Sequence, residues 1–130
     1  MSEQPKWLGE QITQIIHEQS LAQHGGGEGL RDGGALESAL AYPQNLYAYE
    51  DAEIERLAAG YLFAICKAHA FVDGNKRTAW AAMRTFLIIN GVELEYDELE
   101  AIRFVEQVAA GELTFEDVAA WIGTRIDTPH

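Results

Sequence analysis

Apolar residues recur at intervals of three and four along most of the chain, which is the spacing of one face of an α-helix. The longest such series is expected to form the central core helix and comprises Ile54, Leu57, Ala58, Tyr61, Leu62 and Ile65. Alternation typical of a strand is confined to the short stretch 92–96. The pattern therefore predicts an all-α fold.

Glycine, proline and capping residues divide this pattern into separate helices. The glycines at 25–27 are expected to end the first helix, and Pro43 is expected to end a short second one. Thr114, with Asp117 three residues later, predicts the start of the last helix. One face of the first helix is marked by Leu8, Ile12, Ile15 and Ile16. The predicted helices cover residues 7–24, 35–41, from about 50, 75–90, 97–110 and 114–126.

Length and composition narrow the class of protein. The 130 residues suit one domain, 1–130, and a hydrophobic fraction of 48 % excludes a disordered chain. Asp and Glu number 21 against 9 Lys and Arg, a net charge of −12, which argues against a nucleic-acid or membrane-surface binder. A lone cysteine, Cys66, excludes a disulfide framework and fits a reducing compartment. With no signal-peptide pattern or apolar run of about 20 residues, we expect a cytoplasmic protein.

The segment that joins the third and fourth predicted helices combines residue types that suit phosphate chemistry. Backbone N–H groups at a helix start attract anions, and Gly74 lets a phosphate approach the backbone closely. Lys76 and Arg77 add positive charge there, and Asp73 is an oxygen ligand able to hold Mg²⁺ against a phosphate. His69 is placed to take a proton from a hydroxyl nucleophile. These are the parts needed for phosphoryl or nucleotidyl transfer.

The distribution of charge agrees with this interpretation. Residues 67–84 carry four basic side chains against Asp73 alone, a net charge of +3. Residues 93–118 carry nine acidic side chains against Arg103, a net charge of −8. The one basic stretch of an acidic protein thus coincides with the predicted phosphate site, while the acidic stretch is typical of a solvated helix face.

Two stretches resemble the Fic/Doc superfamily, in its death-on-curing (Doc) branch. The first is similar to the signature loop of that family and reads His69-x-Phe71-x-Asp73-Gly74-Asn75-Lys76-Arg77. The second is similar to the N-terminal region of Doc toxins and comprises His24-Gly25-Gly26, Gly29-Leu30-Arg31-Asp32, Leu36-Glu37-Ser38-Ala39-Leu40 and Pro43-Gln44. The resemblance extends over nearly the whole chain.

The resemblance implies an all-α bundle of about six helices, with the signature loop between two central helices. It also implies binding of ATP with Mg²⁺ at this loop, with Phe71 as a buried anchor. The implied catalytic residues are His69 as general base, Asp73 as the Mg²⁺ ligand and Arg77 on the phosphates. The expected nucleotide-binding residues are Gly74, Asn75, Lys76 and Arg77.

Two departures from the adenylyl-transferring Fic pattern are shared with Doc. Lys76 replaces a glycine and Trp80 replaces a second arginine. In Doc this loop is associated with transfer of the γ-phosphate, so the resemblance implies Ser/Thr phosphorylation of elongation factor Tu and arrest of translation. The self-inhibitory motif Ser/Thr-x-x-x-Glu-Gly/Asn is absent from the sequence. A separate antitoxin, with a segment that folds as a helix over the active site, is therefore the expected partner.

Several alternatives stay open at this point. The chain could transfer AMP to a protein hydroxyl, or act without catalysis as a Doc-like binding component of an operon-regulating complex. His17 and His24 are interpreted as structural histidines, and Cys66 as a small buried hydrophobe. Arg31 and Asp32 either form a local ion pair in a turn or belong to a flap over the target.

Overall fold

The order of elements along the chain is six helices with one short pair of strands. The computed structural model describes residues 4–127; the two ends of the predicted domain, residues 1–3 and 128–130, lie outside the described residues. The elements are α1 Glu10–His24, α2 Gly33–Glu50, α3 Ile54–Ala68, α4 Asn75–Ile89, β1 Glu93–Leu94, α5 Glu98–Ala109, α6 Phe115–Gly123 and β2 Ile126–Asp127. The predicted all-α fold is confirmed.

Helix α3 is the central helix, as its apolar series predicts. Of that series Leu57, Ala58, Tyr61, Leu62 and Ile65 are all at most 1 % exposed. Helices α2, α4, α5 and α6 all pack against α3. Since α3 is covered on so many sides, its last residue and the loop that follows are held in a fixed place relative to the core.

The prediction that Pro43 ends a short second helix is wrong. Helix α2 continues through Pro43 to Glu50, so α3 starts at Ile54 rather than near residue 50. Proline removes one N–H and normally breaks a helix interior. Here Pro43 is buried against α3, where Gly60 leaves room for it. Packing between α2 and α3 therefore outweighs the local preference of proline.

Helix α1 starts at Glu10, later than predicted, and the predicted face is only partly buried: Leu8, just before the helix, and Ile16 pack on the core. Ile12 and Ile15 are 48 % and 45 % exposed, whereas Thr13 and His17 are almost fully buried. Both polar groups are hydrogen-bonded inside: the Thr13 hydroxyl donates to the Gly9 carbonyl, and His17 bonds the loop after α3. These hydrogen bonds offset the cost of burying the two polar groups, and the two isoleucines face outward as a result.

The C-terminal end differs from the prediction by one turn. Helix α6 begins with the predicted capping box of Thr114 and Asp117 but ends at Gly123 instead of 126. Beyond it, Ile126 pairs with Leu94 in the antiparallel strand pair β1–β2. Pairing with this earlier segment of the chain draws these residues out of the helix.

Helices α4 and α5 lie where predicted. No helix among residues 4–127 is long and apolar enough to cross a membrane.

The close contact of α2 with α3 predicts that Gly60→Val destabilises the protein. A Cβ at Gly60 would lie 3.2 Å from Leu46 Cδ1 and 3.3 Å from Pro43 Cγ, and valine adds two further methyl groups. We expect a loss of about 2 kcal/mol in the free energy of unfolding, measured by urea denaturation. The control Gly123→Val, on the exposed end of α6, should change it little. Equal losses in both variants would contradict this account of α2.

Candidate active site

The predicted chemical segment is a loop of residues 69–74 between α3 and α4. His69 ends α3 in the left-handed backbone region, with φ 48° and ψ 43°, and its side chain is exposed. Gly74 precedes α4 with φ 77°, a conformation that glycine adopts without strain. The loop therefore places a solvent-accessible histidine at one end and the start of a helix at the other.

Phe71 anchors the middle of this loop in the core, as the family resemblance implies. Its side chain is 2 % exposed, and its ring stacks on the His17 ring with centroids 3.9 Å apart. The Asn75 side chain holds both backbone groups of Phe71: Oδ1 accepts from its N–H at 3.0 Å and Nδ2 donates to its carbonyl at 2.9 Å. The Asn75 side chain thus fixes the loop, while its backbone N–H is one of the open donors at the start of α4.

The first turn of α4 has the open backbone donors expected of the predicted phosphate cradle. The backbone N–H groups of Asn75, Lys76 and Arg77 have no partner within the helix, since the first intrahelical bond runs from Thr78 to the Gly74 carbonyl. The side chains of Lys76 and Arg77 are exposed and make no ion pair within residues 4–127. Open N–H donors and two cationic side chains therefore meet at one helix end.

Asp73 lies between the histidine and this cradle. Its Oδ1 accepts the Gly74 N–H at 2.8 Å and its Oδ2 the Gly27 N–H at 3.3 Å. These two hydrogen bonds, in that order of importance, lower the pKa of the carboxyl, so it is ionised at neutral pH. The helix cap is Gly74 and makes no side-chain bond, so Asp73 is not the side-chain cap of α4.

The surroundings of Asp73 fit one divalent cation shared with a phosphate. The described part of the chain contains no cluster of three or more His, Cys, Asp or Glu side chains that could hold a metal alone. Mg²⁺ commonly binds through one or two carboxylates together with substrate phosphates and water. A single exposed carboxylate beside a phosphate cradle matches that donor set.

The glycine-rich segment before α2 lies directly against the loop, a contact that sequence reasoning missed. Leu30 and Phe71 form an antiparallel bridge, and the N–H groups of Arg31 and Asp32 both donate to the Ala70 carbonyl. Close approach needs glycine here, because a Cβ at Gly26, where φ is 125°, would lie 2.9 Å from Asp73 Oδ2. The repeated glycines were the available signal.

Arg31 and Asp32 have separate roles and form no ion pair with each other. The Arg31 guanidinium donates to the His69 carbonyl at 2.8 Å. Asp32 Oδ1 accepts the Ala35 N–H and caps α2. Of the two open interpretations, the local ion pair is wrong, and the flap over the target stays a prediction.

Not every basic or aromatic residue of the predicted segment belongs to the site. Lys67 lies over the Phe63 ring and Arg84 over the Tyr96 ring. Trp80 is half-buried and packs edge-on against Tyr96 with ring centroids 5.1 Å apart. Only Lys76 and Arg77 among the four cations of 67–84 stand at the first turn of α4.

Cys66 is a buried hydrophobe, as interpreted from the sequence. It is 2 % exposed, and burial raises the pKa of its thiol to about 11. A thiol in that state is protonated at neutral pH and a poor nucleophile. Cys66 is therefore not a candidate nucleophile for this site.

Comparisons with known proteins show a family match and two similar proteins. A model of the Fic/DOC family matches residues 7–87. The chain is 42 % identical over 100 residues to a protein named Toxin Doc from Mycolicibacterium smegmatis, covering 74 % of this chain and 77 % of that protein. It is 33 % identical over 105 residues to Protein kinase doc of Escherichia phage P1, covering 80 % and 82 % respectively.

The two hydrogen bonds from the Asn75 side chain to Phe71 predict that loss of this side chain destabilises the protein. Asn75→Ala deletes two partly buried hydrogen bonds, and we expect the free energy of unfolding to fall by about 2 kcal/mol in urea denaturation. The control Asn45→Ala, on the exposed face of α2, should change it by less than about 0.5 kcal/mol. If the two variants behave alike, the loop is fixed by other contacts.

Asp73 predicts a defined pH dependence of stability. Because its folded-state pKa lies below the unfolded value, its ionised form stabilises the fold above the unfolded pKa, and this contribution is lost as the pH falls through the folded pKa. The difference in urea midpoint between wild type and Asp73→Asn should therefore stay constant above about pH 5 and shrink as the pH falls below the unfolded pKa of about 3.9. Asp51→Asn, which removes an exposed carboxylate without a hydrogen bond among residues 4–127, is the control. A constant difference for Asp73→Asn would refute the assignment.

Proposed function

This chain belongs to the Fic/Doc family, and from that premise we propose that it transfers the γ-phosphate of Mg·ATP to a serine or threonine hydroxyl of a protein. The observation that carries the proposal is the spatial order in one loop: exposed His69, ionised Asp73 and the open first turn of α4. The proposed base, metal ligand and phosphate cradle follow one another along this loop, with the buried anchor Phe71 between the base and the metal ligand.

In the proposed reaction each residue acts on a stated group. His69 accepts the proton of the target hydroxyl as its oxygen attacks the γ-phosphorus. A new oxygen–phosphorus bond forms, the bond from the γ-phosphorus to its bridging oxygen breaks, and ADP leaves. The N–H groups at the start of α4 and Arg77 hold the phosphate oxygens and offset their charge.

Asp73 is the residue proposed to bind Mg²⁺, which would neutralise charge on the nucleotide phosphates. Its carboxylate already accepts two backbone N–H groups, which keeps it ionised and fixed in orientation. Lys76 lies in the first turn of α4 and is exposed. A lysine where adenylyl-transferring members have glycine occupies room at the cradle and adds a cation, which supports γ-phosphate transfer over transfer of AMP.

The proposed target is a translation factor, elongation factor Tu, and the proposed biological role is that of a toxin. Two observations support this role: one similar protein is named Toxin Doc and another Protein kinase doc. Their identities of 42 % and 33 % extend over most of this chain. The proposed partner is a separate antitoxin, because the chain lacks a self-inhibitory motif of its own.

Intact-mass spectrometry of purified elongation factor Tu after incubation with the chain and Mg·ATP tests the proposal. We expect the factor to gain the mass of one phosphate. His69→Ala should slow this gain by at least about a hundredfold, because the general base is removed. The control Tyr49→Ala alters a side chain that is 88 % exposed at the end of α2, and it should retain the wild-type rate.

Other changes in the mass of the factor would favour one of the two alternative functions, nucleotidyl transfer or binding without catalysis. A gain of one AMP would replace the kinase proposal with nucleotidyl transfer. No change in the factor, together with growth arrest that is the same for wild type and His69→Ala, would favour the binding component without catalysis.

A further inference from the structure

His17 is a buried polar side chain that the proposed chemistry does not use. It lies on the inner face of α1, is 3 % exposed, and forms a hydrogen bond of 2.7 Å between its Nε2 and the carbonyl oxygen of Asp73. A carbonyl oxygen only accepts hydrogen bonds, so Nε2 carries the proton and donates it. A helix from a distant part of the chain thus holds the backbone of the loop.

The bond from His17 fixes the orientation of one particular peptide group. In a trans peptide the C=O and the following N–H point in opposite directions. With the Asp73 carbonyl held against α1, the Gly74 N–H is directed to the opposite side, where it donates to Asp73 Oδ1 at 2.8 Å. The same peptide group therefore links His17 beneath the loop to the carboxylate above it.

Contacts around the imidazole leave it little freedom to move. Its ring stacks on Phe71 with an interplanar angle of 12°, and the Gly74 position lies close by, with 3.6 Å between His17 Cδ2 and an ideal Cβ at Gly74. Phe71 is itself held by Asn75. The imidazole is therefore held between Phe71 and Gly74, on either side of the Asp73 carbonyl to which it donates.

We propose that His17 is a positioning residue for the reaction: its Nε2–H holds the Asp73–Gly74 peptide so that the Asp73 carboxylate and the first N–H groups of α4 face the nucleotide together. This inference rests on the proposed phosphate transfer for its effect on rate. Its structural part, an ordered loop that depends on one donor from α1, is independent of which group the protein transfers.

Two variants that differ by one methylene test whether the hydrogen bond to the Asp73 carbonyl matters, rather than only the burial of a side chain at position 17. His17→Gln supplies an amide N–H that reaches about as far as Nε2, whereas His17→Asn holds the same amide closer to α1. Both variants lose the stacked ring. Thr13→Val is the control, because Thr13 is buried one turn earlier on the same face but bonds only Gly9 within its own segment.

The first readout is amide hydrogen exchange of the protein without nucleotide. We expect the amides of Phe71, Val72 and Gly74 to exchange about tenfold faster in His17→Asn than in wild type, the ratio that corresponds to one lost hydrogen bond. In His17→Gln and Thr13→Val they should remain within about threefold of wild type. Faster exchange in His17→Gln equal to that in His17→Asn would overturn the proposal, as would unchanged exchange in both.

The second readout is kcat for phosphate transfer to the protein target. A fall of about tenfold in His17→Asn and recovery in His17→Gln supports positioning. A purely structural role would instead lower kcat in proportion to lost stability and would affect Thr13→Val as well. If no phosphate is transferred by the wild type, the proposed function fails, whereas the exchange result still decides whether His17 orders the loop.

Discussion

The burial of Phe71 is the constraint on which the rest of the site depends. The loop between α3 and α4 must stay open to solvent for chemistry, yet its backbone needs partners and a fixed path. Phe71 meets both needs. Its ring is buried in the core, and its backbone N–H and carbonyl are hydrogen-bonded to the Asn75 side chain. Residues on either side, His69 and Asp73, are then held at the surface in a defined order.

Three separate parts of the chain meet around this anchor. Helix α1 supplies His17 from beneath, the glycine-rich segment pairs along one edge through Leu30, and α4 supplies Asn75. Each contact satisfies a backbone group that would otherwise be left without a partner, which matters most where the backbone is buried. The protein as a whole has a net charge of −12. The start of α4 is nevertheless locally positive, because Lys76 and Arg77 make no ion pair within residues 4–127.

The sequence predicts best what depends on neighbours in the chain. The core stripe of α3, the start of α4 at Asn75 and the capping box at Thr114 are local patterns, and the structure confirms them. The role of Pro43 was predicted wrongly because the contact with Gly60 comes from another helix. The exposure of Ile12 and Ile15 on α1 was not predicted, because His17 gains its partner only when α1 meets the loop. The signature loop indicates the family, whereas His17, which bonds the loop from α1, carries no local signal of that contact in the sequence.

The central claim is that this loop transfers the γ-phosphate of ATP, and the position of a label tests it most directly. Two parallel reactions with the target protein would use ATP labelled either at the γ-phosphorus or at the α-phosphorus. The account predicts that the target acquires label only from γ-labelled ATP, and that His69→Ala prevents it. Transfer of the α label to the target would contradict the account and assign nucleotidyl transfer to the same loop.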